Sequence, residues 1–220
     1  MNKHADQFAA YCRQVLDFDK QISYEYRSLS LCILDCVYSL RAQYSTTKNV
    51  VKRYAEQYLD GCIDSPNDTV TSFINHISEA GGPIPFAFDV LGNKQRSGHV
   101  LKSEVCLNLA RYLRYLHIET IDDFSTFEAP ELLEAAIKAV KGIGDAGTDY
   151  LFMLAGDQNR CKLDVHISRF IKEACGIEVN NEECQSLFSE AVKMLKKDYP
   201  FLTIAKLDGI IWRKYHENDQ

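Results

Sequence analysis

Two short segments of this 220-residue chain carry residue types whose spacing suits chemistry. The first is Val140-Lys141-Gly142-Ile143-Gly144-Asp145-Ala146-Gly147. Glycines two apart with one apolar residue between them permit a tight turn between helices, because glycine takes left-handed backbone at no steric cost. Such a turn aims backbone N–H groups outward at the start of the second helix, where the helix dipole adds partial positive charge. That makes an anion site, and a nucleic-acid phosphate is a natural occupant that amides hold without reading sequence. The second segment is Leu163-Asp164-Val165-His166-Ile167-Ser168-Arg169, which places Asp164 twenty residues after Gly144. An aspartate just ahead of a helical run caps it through the first-turn amides. The same carboxylate can steady a developing positive charge or orient a water. The two roles are compatible.

The elements that must position these residues read as helices. Leu29, Cys32, Ile33, Cys36, Val37 and Leu40 follow the spacing that lines one helix face. Val50, Val51, Tyr54 and Tyr58 repeat it, as do Val105, Leu109, Tyr112, Leu113 and Leu116. Further helical runs cover Ala135 to Val140, Tyr150 to Ala155, Ile167 to Ala174, Leu187 to Leu195 and Ile204 to Tyr215. A helix over Thr148 to Ala155 follows the glycine turn, and Thr46 or Thr47 is the expected cap of the second helix. Alternating strand patterns are scarce, so the expected fold class is mainly α. Two irregular stretches interrupt it: Gly81 to Gly98, opening with Gly81-Gly82-Pro83-Ile84-Pro85, and Gly156 to Leu163.

Composition narrows the classes. A hydrophobic share of 46% and a charged share of 25% are those of a globular chain with a sizeable core. No apolar run approaches the ~18 residues of a membrane span. Met1 to Asp6 lacks the apolar core of a secretory signal, so the expected location is cytoplasmic (nucleoid-associated in a bacterium) or nuclear. The eight cysteines form no CxxC pair, which leaves zinc ribbons and thioredoxin-like redox sites unsupported; small buried hydrophobes is the expected role. The net charge of −6 argues against nucleic-acid binding over the whole surface, but phosphate neutralisation is local. Arg41 to Arg53 holds four basic residues and no acid, and Leu91 to Tyr115 holds five against Glu104 alone. Glu119 to Glu134 holds six acids and no base.

With these residues in hand, the chain resembles the helix-hairpin-helix (HhH-GPD) DNA glycosylase superfamily, the endonuclease-III-like proteins. That family carries a glycine hairpin followed, at this spacing, by an aspartate in a "VDTHI"-type segment. Lys141-Gly142-Ile143-Gly144 and Leu163-Asp164-Val165-His166-Ile167 match it. Arg41-Ala42-Gln43 looks like the family's "SAQ" turn, and Leu202 to His216 looks like its last helix. The resemblance implies two helical lobes flanking a cleft. The internal lobe would be residues 28–156, with the hairpin at about 138–155. The second lobe would be 1–27 together with 157–220. It further implies that Asp164 is catalytic in breaking the N-glycosidic bond of a base flipped from duplex DNA. Positive charge develops on the sugar in that reaction, and a nearby carboxylate stabilises it.

Departures from the pattern shape what is expected. Bifunctional relatives carry a Schiff-base lysine where this chain has Ala146, so a monofunctional enzyme without lyase activity follows. Relatives with an iron–sulfur cluster place four cysteines after the last helix; here none follows Cys184, and no cluster is expected. No other cofactor is required, though the resemblance implies a monovalent cation on the hairpin carbonyls. DNA contacts are expected from Lys141, Gly142, Ile143, Gly144, Ala146 and Gly147, from Gln43, and from the loop residues Lys94, Gln95 and Arg96. Tyr24, Tyr26, Tyr44 and Trp212 are candidates to stack on an extruded base, with core packing as the rival role. A monomer is the expected state. The competing function is a non-catalytic protein of the same fold that binds DNA structures or lesions.

Overall fold

The computed structural model describes residues 3–19, 26–63 and 68–216. In chain order the helices are α1 (Lys3–Val15), α2 (Leu29–Ser39), α3 (Tyr44–Tyr58) and α4 (Val70–Glu79). A short α5 (Pro83–Pro85) runs into a π-helical turn at Phe86–Val90, followed by strands β1 (Arg96–Ser97) and β2 (Val100–Leu101). Then come α6 (Lys102–Tyr115), α7 (Ile121–Ser125), α8 (Pro130–Lys138), α9 (Gly144–Leu154), α10 (Val165–Cys175), α11 (Asn181–Leu195) and α12 (Ile204–His216). The protein is mainly helical, its described sheet being the antiparallel pair β1–β2. No helix among the described residues is long and apolar enough to cross a membrane.

The chain divides into two compact units, one formed by residues 1–24 with 157–220 and the other by 25–156. In the first, α1 buries Ala5, Phe8, Ala9 and Cys12, one helical face, against α10 and α11. Phe8 meets Phe170 edge-on at 5.6 Å and Phe188 at 5.2 Å, so three helices share one aromatic centre. Burying each such ring contributes roughly 1.5–3 kcal/mol. Arg13 ties α1 to the segment after α11 through Asp198 at 2.9 Å.

In the second unit α2 is buried from Leu29 to Tyr38 and is packed by α3, α4, α6 and α9. Its start is capped by Ser28, which accepts from the Leu31 amide and donates to buried Asp68 at 2.7 Å. Its end is held by Lys102. That side chain is 2% exposed, and its Nζ donates to the carbonyls of Tyr38 (3.0 Å) and Leu40 (2.8 Å) and to Gln95 Oε1 (3.0 Å). An ammonium there meets the negative end of the α2 dipole, which offsets part of its desolvation.

Several local expectations need correction. The helix expected to be capped by Thr46 or Thr47 begins earlier, at Tyr44, with Gln43 as a cap that offers no side-chain bond. Thr47 is buried inside it. The second helix of the hairpin likewise begins at Gly144 rather than Thr148. Part of the stretch read as irregular is helical, because Pro83 and Pro85 suit a first helical turn, where their missing N–H groups cost nothing.

Candidate active site

The hairpin forms as its glycines dictate. Gly142 has φ +109° and Gly144 φ +66°, both in the left-handed region that favours glycine. A Cβ on Gly142 would lie 3.0 Å from Ser97 Oγ and 3.2 Å from Val105 Cγ2, so a side chain there would strain the backbone and press these neighbours back by a few tenths of an ångström. Gly147 sits where α9 crosses α2: an added Cβ would lie 2.8 Å from Ile143 Cγ2 and 3.4 Å from Leu40. The helix start is uncapped, since Ile143 supplies no side-chain acceptor. The amides of Gly144, Asp145 and Ala146 donate to no group among the described residues. Unsatisfied first-turn amides with a positive dipole end are what an anion needs. Asp145 stands beside them, and its carboxylate is ion-paired with Lys138 at 3.1 Å. The carbonyls of Val140, Gly142 and Gly144 already accept from Ile143 N, Ser97 Oγ and Thr148 Oγ1.

Three segments separated in sequence meet around this turn. Ser97 Oγ donates to Gly142 O at 3.0 Å, which seats the Asn93–Ser97 loop on the hairpin. Lys102 joins that loop, through Gln95, to Leu40 at the end of α2, where the Arg41-Ala42-Gln43 turn begins. Leu40 in turn faces Gly147. Gln95 is thus committed to the scaffold, and Gln43 is exposed. Lys94 projects over the Phe88 ring at 4.2 Å, and Arg96 donates to His99 O at 2.7 Å. Arg41, Lys94, Arg96 and Lys141 are all exposed, and none forms an ion pair among the described residues. Ile143 and Gly147 are buried, Gly142 and Ala146 half-buried, and Lys141 and Gly144 exposed. Hence buried Ile143 can offer a ligand only main-chain groups.

In the other unit Asp164 is the N-cap of α10, with extended backbone at φ −109° and ψ −172°. Its Oδ1 accepts from His166 N at 2.9 Å and Ile167 N at 3.0 Å. Oδ2 accepts no hydrogen bond among the described residues. The loop leading to it is clamped on two sides. Gln185 accepts from the Cys161 amide at 3.1 Å and donates to its carbonyl at 2.7 Å. Buried Asp208 on α12 accepts from the Lys162 amide at 2.8 Å. Asp164 itself is half-buried, beside Val165, which is 74% exposed. Aromatic rings follow: His166 lies against Tyr215 at 5.5 Å and meets His216 edge-on at 4.7 Å. Trp212 stacks on His216 at 3.7 Å, and His216 Nδ1 lies 2.9 Å from the Trp212 carbonyl oxygen. His166 and His216 were not among the expected site residues. The Trp212–His216 pair on α12 is an i, i+4 signal, but the His166 contacts between α10 and α12 are not local.

The remaining stacking candidates are Tyr24, Tyr26 and Tyr44. Tyr26 and Tyr44 belong to the unit built on α2, and Tyr24 lies outside the described residues. Tyr26 donates to Asp35 Oδ2 at 2.8 Å, and Tyr150 donates to Asp35 Oδ1 at 2.9 Å. Burial, and then the Asp35 carboxylate, pushes the Tyr26 and Tyr44 phenols well above their ordinary range, so both stay protonated. Among the described residues, no three His, Cys, Asp or Glu side chains converge to hold a metal ion.

A family model described as a domain of unknown function (DUF8548) matches residues 6–216. No curated protein and no solved structure matches the chain.

Proposed function

The chain belongs to the DUF8548 family, a domain of unknown function, and we propose that it is a monofunctional DNA N-glycosylase acting on a damaged, modified or mispaired base in duplex DNA. The observation that carries this reading is the convergence of three segments on one basic neighbourhood: the glycine hairpin, the Asn93–Ser97 loop and the Arg41–Gln43 turn. Uncapped amides of α9 with Arg41, Lys94, Arg96 and Lys141 suit a phosphate backbone, which such groups grip without reading sequence. Asp164 supplies the chemistry. Two amides hold Oδ1, so the carboxylate is oriented before substrate arrives, and Oδ2 is left to face the sugar. As the base departs, the sugar becomes oxocarbenium-like, and this anion stabilises it or orients the attacking water. Ala146 offers no amine for a Schiff base, so water is the nucleophile. The protein acts as a monomer wherever duplex DNA is found, in cytoplasm or nucleus.

The test is an excision screen on duplex oligonucleotides carrying a panel of lesions and mispairs, each read with and without alkali. The expected product is an abasic site that breaks only after alkali. In Asp164→Asn, excision falls at least about 100-fold, the scale of losing one electrostatic stabiliser, while duplex affinity is nearly kept. Full activity in that variant overturns the role of Asp164. Tight binding with no excision of any lesion moves the reading to a DNA-structure or lesion-binding protein, which the same basic neighbourhood would serve.

A further inference from the structure

The last two turns of α6 carry Arg111, Tyr112, Arg114 and Tyr115, all exposed, with Tyr112 at 45% and Tyr115 at 82%. On a helix these four positions form one contiguous patch, because Arg111–Arg114 and Tyr112–Tyr115 are i, i+3 pairs and Arg111–Tyr115 is i, i+4. None of the four side chains makes a hydrogen bond, ion pair or ring contact among the described residues. Of the acids near the patch in sequence, Asp122 is exposed and pairs with neither arginine among the described residues, and three others are occupied elsewhere. Glu104 accepts from the Leu101 amide, and Glu119 accepts from Thr71 N at 2.7 Å and Thr71 Oγ1 at 2.6 Å. Asp123 accepts from the Glu119 and Thr120 amides. The two guanidiniums thus form no ion pair among the described residues and stand beside two exposed phenol rings.

We propose that this patch binds single-stranded nucleic acid, with Tyr112 and Tyr115 stacking on two successive bases and Arg111 and Arg114 holding the flanking phosphates. Three features select that occupant. Two unpaired cations demand an anionic partner, and the exposed large apolar side chains of α6 are these two tyrosines alone, so the patch lacks the aliphatic centre of a protein interface. Tyr115 is 82% exposed and Tyr112 45%, so each leaves ring surface on which an unpaired base can stack; in a duplex the base faces are already stacked and only edges and phosphates remain. The patch lies about 14–20 Å along α6 from Lys102, at 1.5 Å per residue, and so is distinct from the hairpin neighbourhood. This inference stands whether or not the protein excises bases.

The experiment is fluorescence anisotropy of a labelled ten-nucleotide oligo-dT, and of a duplex of equal length, with the full chain. Tyr112→Ala/Tyr115→Ala is expected to weaken oligo-dT binding by about 10-fold or more and to leave the duplex unaffected. Tyr112→Phe/Tyr115→Phe keeps the rings and is expected to keep the affinity. Arg111→Gln/Arg114→Gln is expected to flatten the slope of log K against log salt by about 1.4, two phosphates at ~0.7 each for a single strand. All four positions are exposed, and an unchanged thermal midpoint confirms that each variant folds. Failure of the wild type to bind oligo-dT overturns the proposal. So does equal loss on duplex in the alanine variant, which would mean backbone contact without stacking. Neither outcome touches the excision screen, which scores product rather than single-strand affinity.

Discussion

Asp35 and Asp164 are the same residue type in two units of the molecule, and they end in opposite circumstances. Asp35 lies on a helix buried along its length, is 1% exposed, and has one phenol on each carboxylate oxygen. Asp164 stands at the head of α10 with both its bonds on one oxygen. A carboxylate closed on both oxygens ties parts of a fold together. One closed on a single oxygen is held in place and still has an acceptor to offer. Burial and the distribution of donors, rather than residue type, separate a fastening from a reagent.

That contrast can be broken or sharpened by measurement. The largest expected effect is at Asp35. Asp35→Ala takes the carboxylate acceptor from buried Tyr150 and half-buried Tyr26, at about 1.5 kcal/mol for each charged hydrogen bond, so the stability from urea titration should fall by roughly 3 kcal/mol. An unchanged midpoint would mean that Asp35 fastens nothing. Next comes the seam between α2 and α9. Gly147→Ala sets a methyl 2.8 Å from the stiff Ile143 side chain, and a net loss of about 1–2 kcal/mol is expected after the helix-propensity gain. Asp164→Ala removes only a helix cap from the fold, so about 1 kcal/mol of stability should go. A loss as large as that of Asp35→Ala would erase the distinction between the two aspartates.

The smallest effect concerns pH. His76 shares its Nδ1 with Tyr54 at 3.0 Å and stacks on Tyr58 at 4.1 Å. Burial lowers its pKa below the ordinary 6.5, while Asp68 and Glu79 pull the other way and keep the shift modest. The unfolded chain then takes the proton first as pH falls. His76's contribution is therefore present above 6.5 and lost as pH drops through the lower folded value. Stability measured at pH 7.5 and 5.5 should fall more in the wild type than in His76→Gln. Equal slopes would remove His76 from the set of closed groups.

Helix faces and turns were readable in the sequence because they depend on residues a few positions apart. The glycine turn between α8 and α9 and the cap at Asp164 are of that kind, and both lie where local spacing puts them. Thr69 caps α4 by accepting from Ser72 N, a local signal that the apolar spacing alone did not raise. The start of α3 was misplaced because its cap, Gln43, contributes no side-chain bond to recognise. What stayed hidden is long-range. Tyr150 reaches Asp35 across 115 positions, and Lys102 reaches Leu40 across 62. No periodicity announces such pairings. The gathering of the hairpin, the Asn93–Ser97 loop and the Arg41–Gln43 turn around one buried lysine therefore needed the folded chain.

The unit that holds Asp164 is made from both ends of the chain, and this bears on how the protein is made. α1 packs against α10 and α11, and Arg13 pairs with Asp198 across 185 positions, so the helices that cover it are made much later than α1. At about 5–20 residues per second, α1 leaves the ribosome roughly 10–40 s before its partner helix exists. During that interval Phe8 and its neighbours stand open to solvent, while the contiguous segment from 25 to 156 can already fold. Synthesis thus completes the scaffold of the hairpin first and the carboxylate's own unit last.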